Sequence, residues 1–345
     1  MEKNDIKLID TEKLKAIMTS NGFKAYRASQ IQHAIWKEGA NTFEMMPIPL
    51  NLKDFLKKHF YIYTCKVINK SSSKDGTIKF LLEFLNKTYI ETVFIPSSSH
   101  NTQCISSQSG CKMRCRFCAT GESGFKRDLS AGEIIEQILI IQKLTGESIG
   151  NIVVMGMGEP FENYNNLMQA IRIINSKHAL NIGARRITVS TVGIPEAIKR
   201  FADENIQARL SISLHASENS LRSQIVPINK KYPIEDILKA CRYYNKKAKK
   251  YVSFEYILLK GINDSEKHAI SLSKRLKGWK CRVNLIPYNP VNSSEFMRSD
   301  NGQIKTFSNI LKKFGINTTI RKERGVDIKA ACGQLKSSFL KNKNT

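Results

Sequence analysis

From about residue 102 onward the chain alternates strand-like and helix-like runs, and no other feature restricts the fold as much. TQCISSQ, NIVVMGMGE, RRITVSTVG, ARLSISLHA, KYVSFEYILL and CRVNLIPYN have the character of strands, with β-branched residues prominent in most of them. Between them, AGEIIEQILIIQKL, NNLMQAIRIIN, IPEAIKRFAD, PIEDILKACRYY and EKHAISLSKRL repeat apolar residues at helical spacing. Units recurring at roughly 25–40 residues predict βαβ crossovers and a parallel sheet. Six such units suit an open or partial (β/α) barrel, with a doubly wound sheet as the alternative. In either fold the chemistry belongs at the C-terminal ends of the strands. Cys111–Cys118, Gly156–Glu159, Ser190–Thr191, Ser213–His215 and Asn289 all fall there.

Upstream, residues 8–60 read as short helices: TEKLKAIMTSN, YRASQIQHAIWKEG and LNLKDFLKKHF. Residues 63–96 are β-rich, with Asp75-Gly76 and Asn86-Lys87 as turns between the runs. The expected organisation is an N-terminal helical accessory domain over 1–60 and a β-rich connecting segment over 61–100. A barrel over 101–336 and a basic tail over 337–345 follow.

Lys and Arg outnumber Asp and Glu by 55 to 30, a net charge of +25, which points to a polyanionic partner, nucleic acid first. No signal-peptide core opens the chain, and no apolar run approaches the roughly 18 residues that span a bilayer. A cytoplasmic protein without membrane attachment is therefore expected, and thiols stay reduced there. A chain of 345 residues can bury a full core without disulfide staples. Clustered cysteines in such a protein read as metal binding or catalysis.

Cys111, Cys115 and Cys118 form a C-x3-C-x2-C run in CKMRCRFC. A closed iron–sulfur cluster or structural zinc takes four protein ligands, so three leave one iron open to a small molecule. The competing reading is a Cys3His zinc site completed by His100 or His215.

CKMRCRFC resembles the signature of radical S-adenosylmethionine (SAM) enzymes, whose fold is a partial (β/α)6 barrel. ETVFIP, CISSQSGCKMRCRFCATG, VMGMGEPFENYNN, RRITVSTVGIP, LSISLHA, PINKKYP, LIPYNP and RGVDIKAACGQL extend the resemblance to the RlmN/Cfr group of RNA adenine methyltransferases. The resemblance implies a [4Fe-4S] cluster on Cys111, Cys115 and Cys118, with SAM on its open iron. It puts Gly158 and Glu159 at the methionyl end of SAM and Ser190, Ser213, Leu214, His215 and Asn289 along the rest of that pocket. Adenine ring carbons are not nucleophilic, so the group methylates by radical addition and uses two SAM per turnover. The first methylates Cys332 by displacement. The radical derived from the second removes hydrogen from that S-methyl group, and the methylene radical attacks the base. Glu91 corresponds to the group's proton acceptor. Cys104 corresponds to the thiol that releases the tethered base, leaving a transient Cys104–Cys332 disulfide. Cys65, Cys241 and Cys281 match no role and read as packing residues.

By the same resemblance the substrate is 23S rRNA at adenosine 2503, with tRNA at adenosine 37 a further target of some members. Ser109 and the sequence GEPF resemble enzymes that methylate C2, whereas resistance enzymes methylate C8 of the same rRNA base. The helical stretch KAYRASQIQHAIWKEG resembles the group's RNA-docking accessory domain. Phosphate contacts from basic clusters, including RKER at 321–324, would supply affinity and salt dependence without sequence choice. A reducing donor such as flavodoxin or ferredoxin is implied, and a monomer is expected. A metal-containing RNA-binding protein without catalysis is the alternative from a different class.

Overall fold

The computed structural model describes residues 3–84, 87–291 and 295–336. The expected Asn86-Lys87 turn lies partly, and the basic tail 337–345 wholly, outside the described residues.

Strand β1 (Asn4–Asp5) precedes three helices, α1 (Thr11–Ser20), α2 (Tyr26–Trp36) and α3 (Leu50–His59), and pairs in parallel with β2 (Phe60–Tyr61). Apolar residues three and four apart give each helix a buried stripe, such as Leu14 and Met18 of α1 or Leu52 and Leu56 of α3. An antiparallel meander follows, β3 (Lys66–Ser72), β4 (Ile78–Glu83) and β5 (Tyr89–Ile95). It is continuous with the main sheet, because β5 pairs with β6 (Thr102–Cys104).

After β6, strand β7 (Gln108–Gly110), the short helix α4 (Ala119–Glu122) and strand β8 (Phe125–Asp128) form a hairpin with a long loop. The chain then alternates α5 (Ala131–Thr145), β9 (Asn151–Val154), α6 (Tyr164–Asn175), β10 (Ile187–Thr191), α7 (Pro195–Asp203) and β11 (Arg209–Ser213). It continues through α8 (Asn219–Ile225), α9 (Ile234–Ala248), β12 (Val252–Leu258), α10 (Glu266–Leu276), β13 (Cys281–Pro287), α11 (Asn301–Lys313) and β14 (Asn317–Ile320).

The ten-stranded sheet has the order β14-β13-β12-β11-β10-β9-β6-β5-β4-β3, and β6 onward is parallel throughout. Strands that neighbour in sequence order, without a reversal, describe a barrel wall; a doubly wound sheet would reverse at a switch point. The partial barrel is thus present, and β14 adds a short parallel strand to the six expected. Its sequence, NTTI, has one buried residue in four and so carries no readable alternation. Helix α5 starts where Ser130 and Glu133 cap each other reciprocally, and its apolar face, with Ile134, Ile135, Ile138 and Ile141, enters the core. No helix among the described residues is long and apolar enough to cross a membrane.

Beyond β14 the chain crosses from one edge of the open barrel to the other. Arg321 N–H donates to Leu285 O at 2.8 Å, and Gly325 N–H to Asp75 Oδ2 at 3.1 Å. Ser73 Oγ then donates to Asp327 Oδ1 at 2.6 Å, and Lys336 N–H to Glu91 Oε2 at 2.7 Å. This crossing segment carries Cys332.

Candidate functional site

The loop bearing Cys111, Cys115 and Cys118 leaves β7 at the C-terminal side of the barrel. Its own backbone shapes it: Cys111 N–H donates to Gly124 O at 3.0 Å and Cys118 N–H to Cys115 O at 3.1 Å. Arg114 turns the chain with a φ of 53°. From outside, Arg116 N–H reaches Ile225 O of α8 at 3.0 Å, and Ala119 N–H reaches Gly333 O of the crossing segment at 2.8 Å.

All three thiols are free and line one pocket. Burial pushes Cys111 up to about 12 and Cys115 well above its ordinary value, so without a bound cation both stay protonated. Among the described residues no three His, Cys, Asp or Glu side chains converge on a point where one metal ion could sit. Three thiols lining one pocket are a donor set that a multi-iron cluster takes, its thiolates attaching to different irons. His100 stands beside Gly150 before β6, at the end of the strand away from the thiols. His215 lines the pocket, but its Nδ1 accepts from Ile257 N–H at 3.1 Å. Burial holds its imidazole down at about 3, so it is neutral and carries its proton on Nε2.

The rest of the pocket wall comes from the ends of adjacent strands. Glu159, after β9, accepts from Phe161 N–H at 3.0 Å and from Val192 N–H at 2.8 Å, which fixes its carboxylate between two strand ends. Burial pushes that carboxyl up to about 7, so a cationic ligand group facing it would favour the ionised form. Ser190 and Ser213 approach each other at 3.4 Å across β10 and β11. Leu214 packs in the core, and Asn289 is buried after β13 with an Oδ1 that has no hydrogen-bond partner among the described residues; neither is among the residues that line the pocket. A fixed carboxylate beside neutral hydroxyl and imidazole groups fits an amino-acid-bearing nucleoside such as SAM.

Gly158 has a structural reason to be glycine. Its φ is +104°, and a Cβ there would lie 2.6 Å from Gln108 Cβ and 2.7 Å from Gln108 N. This contact presses the strand-end loop onto the segment leading to the thiols, where Glu159 N–H also donates to Gln108 Oε1 at 2.8 Å. Gly158→Ala should therefore cost roughly 2–4 kcal/mol of stability in urea denaturation. Gly183→Ala, where a Cβ meets nothing within 4 Å, is the control and should stay within about 0.5 kcal/mol. Equal effects at the two positions would sink the close-approach argument.

Cys332 lines the same pocket as the three thiols, although over two hundred residues separate it from them in the chain. Cys104 lies at the end of β6. Burial pushes its thiol up to about 12, and a nearby Cys332 adds to the rise while Arg321 opposes it. Arg321 also lines the pocket, with its side chain 31% exposed, 3.8 Å from Glu255 and 3.6 Å from the sulfur of Met155. Glu91 is placed differently. Its carboxylate pairs with Lys79 at 3.0 Å and accepts from Lys336 N–H, and it is not among the pocket-lining residues. Burial raises its pKa while Lys79 and that N–H oppose the rise. Cys241 and Cys281 are buried in the main core.

Sequence reasoning missed Arg222, which is fully buried on α8, and the pocket residues Met155, Glu255 and Arg321. Arg321 was hidden by the basic run around it. For Arg222 the available signal was a lone Arg in the otherwise uncharged NSLRSQIVP.

A model of the radical SAM superfamily matches residues 105–272. The "Probable dual-specificity RNA methyltransferase RlmN" of Clostridium tetani is 45% identical over 342 residues, 98% of each chain. The protein of the same name from Geobacillus kaustophilus is 46% identical over 330 residues, 94% of this chain and 90% of that one. The crystal structure of a radical SAM methyltransferase from Sphaerobacter thermophilus superposes with a TM-score of 0.92 at 40% identity, covering 96% of this chain and 99% of that one.

Proposed function

Because the chain belongs to the RlmN family of radical SAM RNA methyltransferases, we propose that it methylates C2 of an adenine in RNA through Cys332. Adenosine 2503 of 23S rRNA is the proposed target, and "dual-specificity" in the relatives' name supports a second RNA target, for which adenosine 37 of tRNA is proposed. Cys111, Cys115 and Cys118 would hold the cluster, and Glu159, Ser190, Ser213, His215 and Asn289 would hold SAM. Bound together, these groups supply methyl groups and a hydrogen-abstracting radical.

The protein's own residues do the rest. Cys332 accepts a methyl group on sulfur and presents it within the pocket. Cys104, its neighbour at the end of β6, takes the sulfur of Cys332 when the base leaves. Glu91 accepts the ring proton once its carboxylate parts from Lys336. Glu159 and neutral His215 orient the ligand without moving. The observation that carries the reading is that Cys332 and the three clustered thiols line one pocket.

Deleting the gene and hydrolysing rRNA and tRNA to nucleosides tests it. Mass spectrometry should show 2-methyladenosine in the parent and its loss in the deletion strain, with restoration by the wild-type gene. Loss of 8-methyladenosine instead would assign the reaction to C8, and no change in any methyladenosine would overturn the proposal.

A further inference from the structure

Arg222 projects from the short helix α8 and is fully buried, with a relative exposure of 0%. Its guanidinium is saturated by neutral acceptors. Nε donates to Leu214 O at 2.9 Å, and one terminal nitrogen donates to Asn229 Oδ1 at 3.0 Å and Tyr232 O at 3.4 Å. The other donates to Val192 O at 2.5 Å and Ser213 O at 3.1 Å. Among the described residues no carboxylate pairs with it. A buried cation with hydrogen bonds but no counter-charge is costly, and proteins retain one where an anion completes it.

The neighbourhood shows where that anion belongs. Helix α8 ends against the thiol loop through Arg116 N–H to Ile225 O at 3.0 Å, and Ile225 packs in one apolar cluster with Cys111 and Phe117. Leu221, beside Arg222 on α8, packs against that same cluster together with Cys115 and Cys118. A cluster on three thiolates is an anion, and one-electron reduction makes it more negative without forming or breaking a bond.

We propose that Arg222 is the fixed counter-charge of the iron–sulfur centre: it raises the cluster's reduction potential while its hydrogen bonds hold the strand ends at Val192, Ser213 and Leu214. The proposal rests on the reading of Cys111, Cys115 and Cys118 as cluster ligands. The protein places a full positive charge behind the centre and leaves it unneutralised, and net charge is a main determinant of such potentials. Arg222 is a positioning residue, acting through the cluster and the pocket wall rather than on the substrate.

Asn229→Asp tests the charge with little change of size, at the loss of the bonds that Asn229 Nδ2 donates to Ser223 Oγ at 2.8 Å and Asn219 O at 3.2 Å. It would put a carboxylate where Asn229 Oδ1 already accepts from Arg222, neutralising the guanidinium in place. Reconstituted holoprotein is titrated anaerobically with dithionite, and cluster reduction is followed by electron paramagnetic resonance. N229D should disfavour the reduced cluster at least tenfold, a fall of about 59 mV for one electron. Its apoprotein should still fold cooperatively, the new ion pair offsetting those two lost bonds. Arg222→Lys, which retains the charge and loses most of the bonds, should hold iron and stay within threefold of wild type in the same equilibrium while melting lower. An unchanged potential in N229D would overturn the proposal. So would a fall in R222K as large as that in N229D, or loss of iron from R222K. Failure of N229D apoprotein to fold would also count against it, since completing the ion pair should not unfold the chain. Wild-type protein that takes up no iron and sulfide would instead refute the cluster reading itself.

Discussion

Cys104→Ala is expected to leave the protein covalently joined to its RNA, visible on a denaturing gel as a shift that nuclease removes. In this variant Cys332 could still receive a methyl group and deliver its carbon to the base, a new carbon–carbon bond that leaves the base tethered through the carbon–sulfur bond already present. Nothing then takes the sulfur. On the proposed reaction the sulfur of Cys104 would bond to that of Cys332 in the wild-type protein as the carbon–sulfur bond breaks, and the carbon would keep the bonding pair and take up a proton to become the new methyl group. Burial pushes the resting Cys104 thiol up to about 12, so it is protonated, and the charge of Arg321 opposes that rise. Cys332→Ala should give neither product nor adduct, and the double variant should lose the adduct completely. Glu91→Ala should trap the adduct less fully, and it also frees the Lys336 N–H that the carboxylate holds. An adduct that persists in the double variant would move the methyl carrier to another residue. Adduct-free inactivity of both single variants would make these cysteines structural.

Replacing any one of Cys111, Cys115 or Cys118 with Ala should weaken iron retention more than about a hundredfold. On this assignment each thiolate would secure a different iron, and Cys332, which lines the same pocket, is assigned to carry the methyl group instead. The loss should come without unfolding, because the loop's hydrogen bonds, Cys111 N–H to Gly124 O and Cys118 N–H to Cys115 O, are backbone bonds that Ala preserves. Iron and sulfide analysis after anaerobic reconstitution, alongside far-ultraviolet circular dichroism, separates the two effects. A single variant that keeps a full cluster with native dichroism would refute the ligand assignment.

The barrel was legible because its strands and helices are long enough for their periods to register. EKHAISLSKRL reads as a helix and is one, α10, from Glu266 to Leu276. Elements that escaped are short. Strand β14 has four residues and helix α8 seven, too few for a period, and tertiary contact holds them. The site divides in the same way. A cysteine run announces itself by spacing, whereas Arg222 and Arg321 matter through what folding brings beside them. RKER at 321–324 has the composition of a solvated, phosphate-binding face. Yet Arg321 turns inward to Glu255, and Arg324 lies 3.9 Å from Asp75. Glu91 is the opposite case: its motif was visible in sequence, but its engagement with Lys79 and Lys336 was not.

The crossing segment also orders assembly in time. Parallel strands of the barrel pair with their sequence neighbours, so each closes a modest loop. The contacts that seat Cys332 join residues 254 apart, at Ser73 and Asp327, and 245 apart, at Glu91 and Lys336. Contacts of such separation carry a larger closure entropy and form late. The barrel mouth accordingly stands open after the thiol loop has folded, and metal delivery has its interval of access then. When the segment docks, Gly333 and Leu335 accept hydrogen bonds from Ala119 and Thr120 directly beyond Cys118. On the proposed function, the residue that carries the methyl group would then be among the last to reach its place.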